Sequence, residues 1–155
     1  MHTTAVLLRE PKDLGLSTVA LRAPAEDDVI VEIQHSGIST GTEKLLFTGE
    51  MPPFPGLGYP LVPGYESSGE IVDAGPAARA RIGDTVFVPG AACYENAHGL
   101  FGGASRHLVS PASRLTRIDS HMGASGALLA LAATAPHAVR GPGATLPELI
   151  VGHGV

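Results

Sequence analysis

Apolar residues in this chain occur mainly in short runs, which are separated by glycine, proline and small polar residues. Runs of this kind, bounded by turn-forming residues, predict β-strands. The clearest run covers residues 29–35 and follows an acidic turn. In all, the pattern predicts strands at residues 4–8, 16–21, 29–35, 67–74, 85–88, 104–109 and 115–118. Residues 37–41 and 93–103 are predicted to be loops, and the chain as a whole is expected to be mainly β.

Two segments have a helical rather than a strand-like pattern. A short helix is predicted over residues 42–48, with Thr42 or Gly41 as its N-cap. A longer helix is predicted over residues 123–139, where Ala and Leu occur on all sides, so we expect it to be buried. Pro136 should end or kink this second helix.

Composition narrows the class of protein. The chain has 155 residues, of which 20 are Gly and 13 are Pro, and it carries a net charge of −5. This length suits one domain with a substantial core, and a hydrophobic content of 44% argues against disorder. The abundance of Gly and Pro argues against a helical bundle. An acidic chain without a clustered basic face is not expected to bind nucleic acid.

The lengths of the apolar runs also indicate where in the cell the protein is found. Near the start of the chain, the first apolar run spans only residues 5–8 before charged residues follow, which does not resemble a secretory signal. No uninterrupted apolar run approaches the about 18 residues of a spanning helix. We therefore expect a cytoplasmic protein, or a piece of one, with no membrane span.

The single cysteine limits the metal chemistry that is available. Cys93 excludes an internal disulfide and any zinc lobe built from several cysteines, and we interpret it as a loop thiol. The seven histidines show no spacing typical of metal ligands.

The last residues of the chain place an apolar run directly before Gly152, His153 and Gly154. A strand entering Gly-x-Gly is how a dinucleotide-binding unit begins, although the complete signature needs a third glycine and a later acidic residue. A C-terminal edge strand is the alternative, and from these residues alone both interpretations stay open.

Three stretches, in this order and spacing, resemble the medium-chain dehydrogenase/reductase superfamily. Residues 36–43 (SGISTGTE) resemble its Gly-Ile-Cys-x-Thr/Ser-Asp loop, and residues 62–72 (VPGYESSGEIV) resemble Pro-Gly-His-Glu-x-x-Gly-x-Val. Residues 83–86 (GDTV) resemble Gly-Asp-x-Val, and residues 101–105 (FGGAS) stand where a Gly-Gly-Phe-Ala-Glu turn is usual. The resemblance implies a fold that is mainly β with some α, built around a GroES-like β-barrel catalytic domain.

The same resemblance implies a division of the chain. The catalytic domain would cover residues 1–122, and an inter-domain helix and linker would cover residues 123–146. Residues 147–155 would then start a truncated Rossmann domain, in which Gly152 and Gly154 bind NAD.

Two substitutions separate this chain from the zinc-dependent members that it resembles. Ser39 stands where the first cysteine ligand is expected, and Tyr65 stands where the histidine is expected. Neither a serine hydroxyl nor a neutral tyrosine is a usual Zn²⁺ ligand, and the third position falls among residues 130–133, which offer no ligand. We therefore expect no catalytic zinc.

Within the superfamily, residues 36–44, 51–56 and 58–66 closely resemble members that oxidise the hydroxyethyl side chain of a bacteriochlorophyllide to an acetyl group. This implies an NAD-dependent alcohol oxidation in bacteriochlorophyll biosynthesis, with a tetrapyrrole as the small-molecule substrate. Such members are about twice this size, so the chain is expected to be an N-terminal half that is inactive alone. A homodimer is one assembly that we consider for the longer parent.

Without zinc, the resemblance leaves hydroxyl and carboxyl groups to move the proton. Ser39, Thr40 and Tyr65 would face the nicotinamide as a proton relay, and Glu66 would act as a base. In the alternative interpretation, Ser39 and Thr40 satisfy loop backbone, Tyr65 packs as an aromatic, and Glu66 is a structural acid paired with donors. Glu43 would replace an acidic residue that stands behind the metal in the family.

The segment 51–60 is too rich in Pro and Gly for regular structure. Phe54, Leu57 and Tyr59 on this rigid loop would form an apolar wall for a flat tetrapyrrole. The alternative is a rigid surface loop that packs on the barrel.

Two other functions stay open. A zinc-independent quinone or enone reductase-like member would take a small substrate and would need no extended apolar wall. A non-catalytic GroES-like binding or assembly module would not bring Ser39, Tyr65 and Glu66 together at one cleft.

Overall fold

The computed structural model describes residues 1–140 together with residues 143, 148, 149 and 151. The described part is built mainly of strands with a few helical segments, which confirms the expected fold class. The strands are β1 (His2–Glu10), β2 (Asp13–Ala20), β3 (Asp28–Ser36), β4 (Leu61–Val62), β5 (Ser67–Ala74), β6 (Thr85–Val88), β7 (His98–Gly99), β8 (His107–Pro111) and β9 (Thr116–Arg117). The helices are α1 (Thr42–Thr48) and α2 (Leu129–Arg140), and 3₁₀ segments cover Pro76–Arg81, Ala112–Arg114 and Ser120–Leu128.

These strands form two sheets that share a connecting segment. One sheet has the order β2-β1-β4-β7 and the other has the order β8-β3-β5-β6-β9. Neighbouring strands are antiparallel except for β4 and β7, which are parallel. The Val6 N–H donates to the Ala104 carbonyl at 2.9 Å, and the Ile33 N–H donates to the Arg106 carbonyl at 2.8 Å. Residues 104–106 therefore hold the two sheets together.

The main core lies on the five-stranded sheet. Many of its members are branched aliphatic residues from four strands, which suits the pleated surface of a buried sheet: Val29, Val31, Ile71, Val86, Val88 and Leu108. Burying each of these side chains contributes about 1.5–3 kcal/mol. Cys93 belongs to this cluster with 1% exposure, and burial raises the pKa of its thiol. Cys93 lies in a loop, as predicted, and its side chain is part of the core.

Most strand and helix predictions agree with the structure within a few residues, and the exceptions are short or shifted elements. A strand was expected at residues 104–109, whereas β8 begins at His107. The predicted loop 93–103 contains β7, which pairs with β4 through Leu61 and His98. Such pairing depends on a distant partner strand, so no local apolar pattern marks it.

The long helix is divided in the structure, and its expected burial is wrong. The 3₁₀ segment Ser120–Leu128 leads into α2, and Pro136 lies inside α2 without ending it. No residue of α2 is buried, because the described part of the chain places little against it apart from the preceding 3₁₀ segment. High Ala and Leu content favours a helix but supplies no partner for its apolar side chains.

The stretch Ser120–Arg140 is long and apolar enough to span a membrane by length and composition, with a mean hydropathy of 1.3. Length and composition alone are weak evidence for a span. Gly123 has non-helical dihedral angles (φ 53°, ψ −133°) inside the stretch. An interrupted backbone leaves polar groups unpaired in lipid, which argues against a span.

Candidate active site

Two loops that leave adjacent strands form the centre of the candidate site. Strands β3 and β5 pair so that Ser36 lies opposite Ser67. The loop after β3 carries Ser39, and the loop before β5 carries Tyr65 and Glu66. The Gly37 N–H donates to the Glu66 carbonyl at 2.5 Å, which ties one loop to the other. The sheet therefore brings together segments that are distant in sequence.

The side chain of Glu66 is buried at this junction with one oxygen unpaired. Glu66 is 4% exposed, and its Oε1 has no hydrogen-bond partner among the described residues. A Cβ on Gly37 would lie 2.6 Å from Glu66 Oε2, so only glycine leaves room for the carboxylate. Burying a carboxylate oxygen without a partner is costly, and such exceptions concentrate at functional sites.

Glu43 stands beside this junction, in the first turn of α1. Its Oε2 accepts a hydrogen bond from the Ser39 N–H at 3.0 Å. Burial raises the pKa of Glu43, and the negative charge of Glu66 raises it further. The structure therefore brings Ser39, Glu43 and Glu66 into one neighbourhood.

Ser39 and Thr40 differ in their surroundings. The Ser39 Oγ accepts a hydrogen bond from the Thr42 N–H at 3.2 Å, which matches the interpretation that this hydroxyl satisfies loop backbone. Thr40 is exposed. Neither placement tests a role in proton transfer, so that role stays a prediction.

Tyr65 packs as an aromatic in this structure. Its ring meets the ring of Phe101 edge to face, with a centroid separation of 5.4 Å and an interplanar angle of 78°. This arrangement is favourable for aromatic pairs. It fixes the tyrosine on the same loop as Glu66.

The proline-rich loop at residues 51–60 packs largely against the domain, whereas an apolar wall would need its side chains to face a ligand. Leu57 and Tyr59 pack against a buried cluster that contains Leu46, and the Tyr59 hydroxyl donates to the Leu46 carbonyl at 2.5 Å. Phe54 is 38% exposed. None of the three predicted wall residues is among those that line the large cavity of this domain.

That cavity has a volume of about 610 Å³ and lies between the β1–β2 hairpin and α1. Val6, Leu14 and Leu16 line it from the hairpin, and Phe47 and Glu43 line it from α1. Sequence reasoning missed this cavity. The available signal was the pair Leu14 and Leu16, which lie in a strand whose partner carries four consecutive apolar residues at 5–8.

A second cleft, of about 550 Å³, lies at the end of β3 and shares Gln34, Ser36 and Gly37 with the first. Small residues line much of it, including Ser36, Gly37, Ala124 and Ala127. Small side chains allow a flat ring to approach the backbone closely. Gly152 and Gly154, which the resemblance assigns to the cofactor, lie outside the described residues.

The residues at this site do not fit a catalytic zinc ion. Across residues 1–140 and the four isolated positions, no group of three or more His, Cys, Asp or Glu side chains is placed to hold a metal. Ser39 and Tyr65 supply oxygen atoms that zinc rarely takes as ligands.

Residues 25–120 match the family of alcohol dehydrogenase GroES-like domains, and the chain belongs to that family. It is 60% identical to the 2-desacetyl-2-hydroxyethyl bacteriochlorophyllide A dehydrogenase of Cereibacter sphaeroides, in an alignment that covers 99% of this chain and 50% of the relative. It is 56% identical to the protein of the same name from Rhodobacter capsulatus, covering 99% of this chain and 49% of the relative. The chain thus spans about half the length of the curated relatives it matches.

Solved structures share the fold at low identity. A short chain alcohol dehydrogenase from E. coli CFT073, complexed with NADH, is 24% identical with a TM-score of 0.70, covering 92% of this chain and 46% of that one. The 2R,3R-butanediol dehydrogenase of Bacillus subtilis is 22% identical with a TM-score of 0.70, covering 90% of this chain and 47% of that one. At these identities the likeness establishes the GroES-like fold alone.

Proposed function

We propose that this chain is the GroES-like half of an NAD-dependent alcohol dehydrogenase of bacteriochlorophyll biosynthesis. The enzyme would oxidise the hydroxyethyl side chain of a bacteriochlorophyllide to an acetyl group in the cytoplasm. The observation that carries the proposal is the 60% identity, over 99% of the chain, to a relative whose name states this substrate.

The proposal also assigns a domain or linker role to each part of the chain. Residues 1–122 form the catalytic domain, residues 123–146 form an inter-domain helix and linker, and residues 147–155 begin the Rossmann domain. The chain alone is expected to be inactive, because most of the cofactor site belongs to the other half of the relatives.

The reaction removes one hydride and one proton from a secondary alcohol. The electron pair of the carbinol C–H bond leaves with its hydrogen as hydride, the O–H bond loses its proton, and a C=O bond forms. NAD⁺, when bound, supplies the acceptor for that hydride. Ser36, Gly37 and Ala127 in the second cleft are the residues of this chain that would face its ring.

Glu66, assisted by Glu43, would take the hydroxyl proton. Burial raises the pKa of the neighbouring Glu43, and the negative charge of Glu66 raises it further. The unpaired Oε1 of Glu66 leaves one acceptor available in a buried place. Ser39, Thr40 and Tyr65 would line the site and would position the hydroxyl or relay its proton.

We further propose that the enzyme works without zinc. The support is the chemistry of the side chains at the metal positions of the family, where Ser39 and Tyr65 replace ligands. The proton acceptor is then a carboxylate, and the substrate oxygen is held by hydrogen-bond donors.

A chimera tests this proposal directly. The chain replaces the aligned half of the Cereibacter sphaeroides relative, and the purified chimera is incubated with NAD⁺ and the hydroxyethyl bacteriochlorophyllide. We expect NADH formation and a product that has lost two hydrogens by mass spectrometry, from protein without stoichiometric zinc by metal analysis.

The unaltered relative is the positive control, and NAD⁺ binding shows that the chimera is folded. A chimera that binds NAD⁺ but does not turn over, beside an active control, would overturn the proposed function. Stoichiometric zinc in an active chimera would overturn the zinc-independent mechanism alone. If the chimera does not fold, the chain is co-expressed with the other half of the relative in a strain that lacks the relative, and restoration or absence of pigment synthesis decides the question.

A further inference from the structure

We propose that the cavity between the β1–β2 hairpin and α1 binds the apolar macrocycle of a tetrapyrrole, and that Arg106 at its rim binds the carboxylate of that ligand. The identity of the ligand rests on the proposed function. The site itself differs from the wall that Phe54, Leu57 and Tyr59 were expected to form.

The first argument is that the hairpin is apolar on both faces. Thr3, Ala5 and Leu7 are buried on one face of β1. Val6 and Leu8 point to the other face, opposite Leu16 and Leu14 of β2. An antiparallel hairpin with one solvated face normally alternates apolar and polar residues. Here the second face is apolar as well, and it lines the cavity.

Large apolar side chains at this cavity are exposed to solvent. Leu16 is 75% exposed, Ile38 is 80% exposed and Leu14 is 52% exposed. Phe47 adds an aromatic ring at 37% exposure. A contiguous apolar patch with polar residues at its edge is typical of a binding surface.

A positive charge at the rim of the cavity favours apolar ligands that carry a carboxylate. Arg106 is the positively charged residue among the described residues that line the cavity. Among the residues that the structure describes, it forms an ion pair only with Glu32, and that pair is long at 3.4 Å and exposed on both sides. Such a pair contributes little, so the guanidinium is free to bind a ligand carboxylate.

The position of the cavity connects it to the candidate catalytic groups. Gly37 and Glu43 line its inner side, and Glu66 lies directly against Gly37. A macrocycle in the cavity would present one edge to these acids and another edge to Arg106. Bacteriochlorophyllides carry the hydroxyethyl group and the propionate on different pyrrole rings, which suits two separated contacts. A volume of about 610 Å³ lies within the range of small-molecule sites.

Equilibrium binding of pheophorbide a to the 155-residue chain tests the site without the cofactor. Pheophorbide a is a flat chlorin with a free propionate, and its propionate methyl ester is the matched neutral probe. Binding is followed by the induced circular dichroism of the chlorin. We expect Leu16→Asp to weaken binding of both probes about tenfold, because it removes an apolar contact and adds a charge.

Arg106→Gln should weaken binding of the free acid about threefold and leave the ester unchanged. Ile82→Asp and Arg114→Gln are the matched controls, since both residues are exposed away from the cavity and neither lines it. Both controls should bind like the unmodified chain.

Equal binding by Leu16→Asp and Ile82→Asp would overturn the proposed site, as would an Arg106→Gln variant that treats acid and ester alike. A dimer in sedimentation velocity that Leu16→Asp dissociates would show that a second copy covers this face, and would also overturn it. Turnover by the chimera together with unaltered pheophorbide binding in Leu16→Asp would remove this site and leave the proposed function intact. Pheophorbide binding that Leu16→Asp weakens, together with a folded but inactive chimera, would support this site and overturn the proposed function.

Discussion

Asp28 and Glu66 are two buried acids of one sheet with opposite surroundings. Asp28 begins β3 at 1% exposure, and Glu66 directly precedes β5 at 4% exposure. Both oxygens of Asp28 accept hydrogen bonds from the Arg22 guanidinium, at 2.5 and 3.0 Å, and one also accepts from the Ala25 N–H. The hydrogen bond from Arg22 is the main cause that lowers the pKa of Asp28.

Glu66 has an oxygen without a partner, whereas both oxygens of Asp28 have donors. Its backbone is bound to Gly37, and its Oε1 has no partner among the described residues. An acid whose two oxygens are both bound holds the chain in place, and we propose that the open oxygen of Glu66 takes a proton from a ligand. The two acids are equally buried, so their hydrogen-bond partners and not their burial distinguish them.

The largest expected effect tests the functional side of this comparison. Glu66→Gln in the chimera should lower kcat by about 100-fold or more, because the amide cannot take the hydroxyl proton. The KM should change little, since shape and size are kept. Steady-state kinetics with NAD⁺ measures both, and Glu70→Gln on the exposed side of β5 is the matched control. A kcat equal to that of the control would place the proton acceptor elsewhere.

The structural side is tested by Asp28→Asn. This change should lower the free energy of unfolding by about 2 kcal/mol, because the Arg22 guanidinium and the Ala25 N–H lose a charged acceptor. The figure lies below that for a fully buried pair because the Arg22 side chain is 37% exposed. Urea unfolding measures the loss, with the exposed Asp27→Asn as control. Equal stability of the two variants would contradict the structural role of Asp28.

Acid should reduce the contribution of Asp28. The pKa of Asp28 is lower in the folded chain than the ordinary value of 3.8, so its stabilisation is present above that value. It is lost as the pH falls further, through the folded pKa. The difference in unfolding free energy between the unmodified chain and Asp28→Asn should therefore be constant near pH 7 and shrink below about pH 4. A difference in unfolding free energy that grows on acidification would contradict this prediction.

The smallest effect has the opposite pH dependence. The pKa of Glu43 is raised by burial, so the folded chain carries a cost while this carboxyl group is charged. Glu43→Gln should raise the free energy of unfolding at pH 7 by less than about 1 kcal/mol. That gain should vanish as the pH falls and the carboxyl group becomes protonated. The same urea titrations measure this gain, with Glu50→Gln as the exposed control. A lower free energy of unfolding in Glu43→Gln than in the unmodified chain would contradict the prediction.

Local signals were enough to predict much of the fold from the sequence. The helix at residues 42–48 and the strands at residues 67–74 and 85–88 have the predicted bounds, because apolar runs and turn residues mark both ends. The short strand β7 and the displaced start of β8 depend on partners far along the chain. The exposed state of α2 also depends on what packs against it, which composition cannot specify.

The candidate site divides in the same way. The loops carrying Ser39, Tyr65 and Glu66 were located by their motifs. The unpaired state of Glu66 could not be predicted, because it depends on the glycine that lies opposite it and on the lack of a nearby donor among the described residues. The large cavity was missed because the predicted strand began at Leu16 and left out Leu14, and the face that these two residues share becomes visible only when β2 pairs with β1.

Cys93 supplies an internal reporter for the stability measurements on this chain. It is the only cysteine in the sequence, it is 1% exposed, and burial raises the pKa of its thiol. A thiol reagent can reach it only when the core opens, so the rate of its modification measures the free energy of that opening under native conditions. The opening of each variant of the 155-residue chain can thus be measured in the buffer used for ligand binding, without a denaturant.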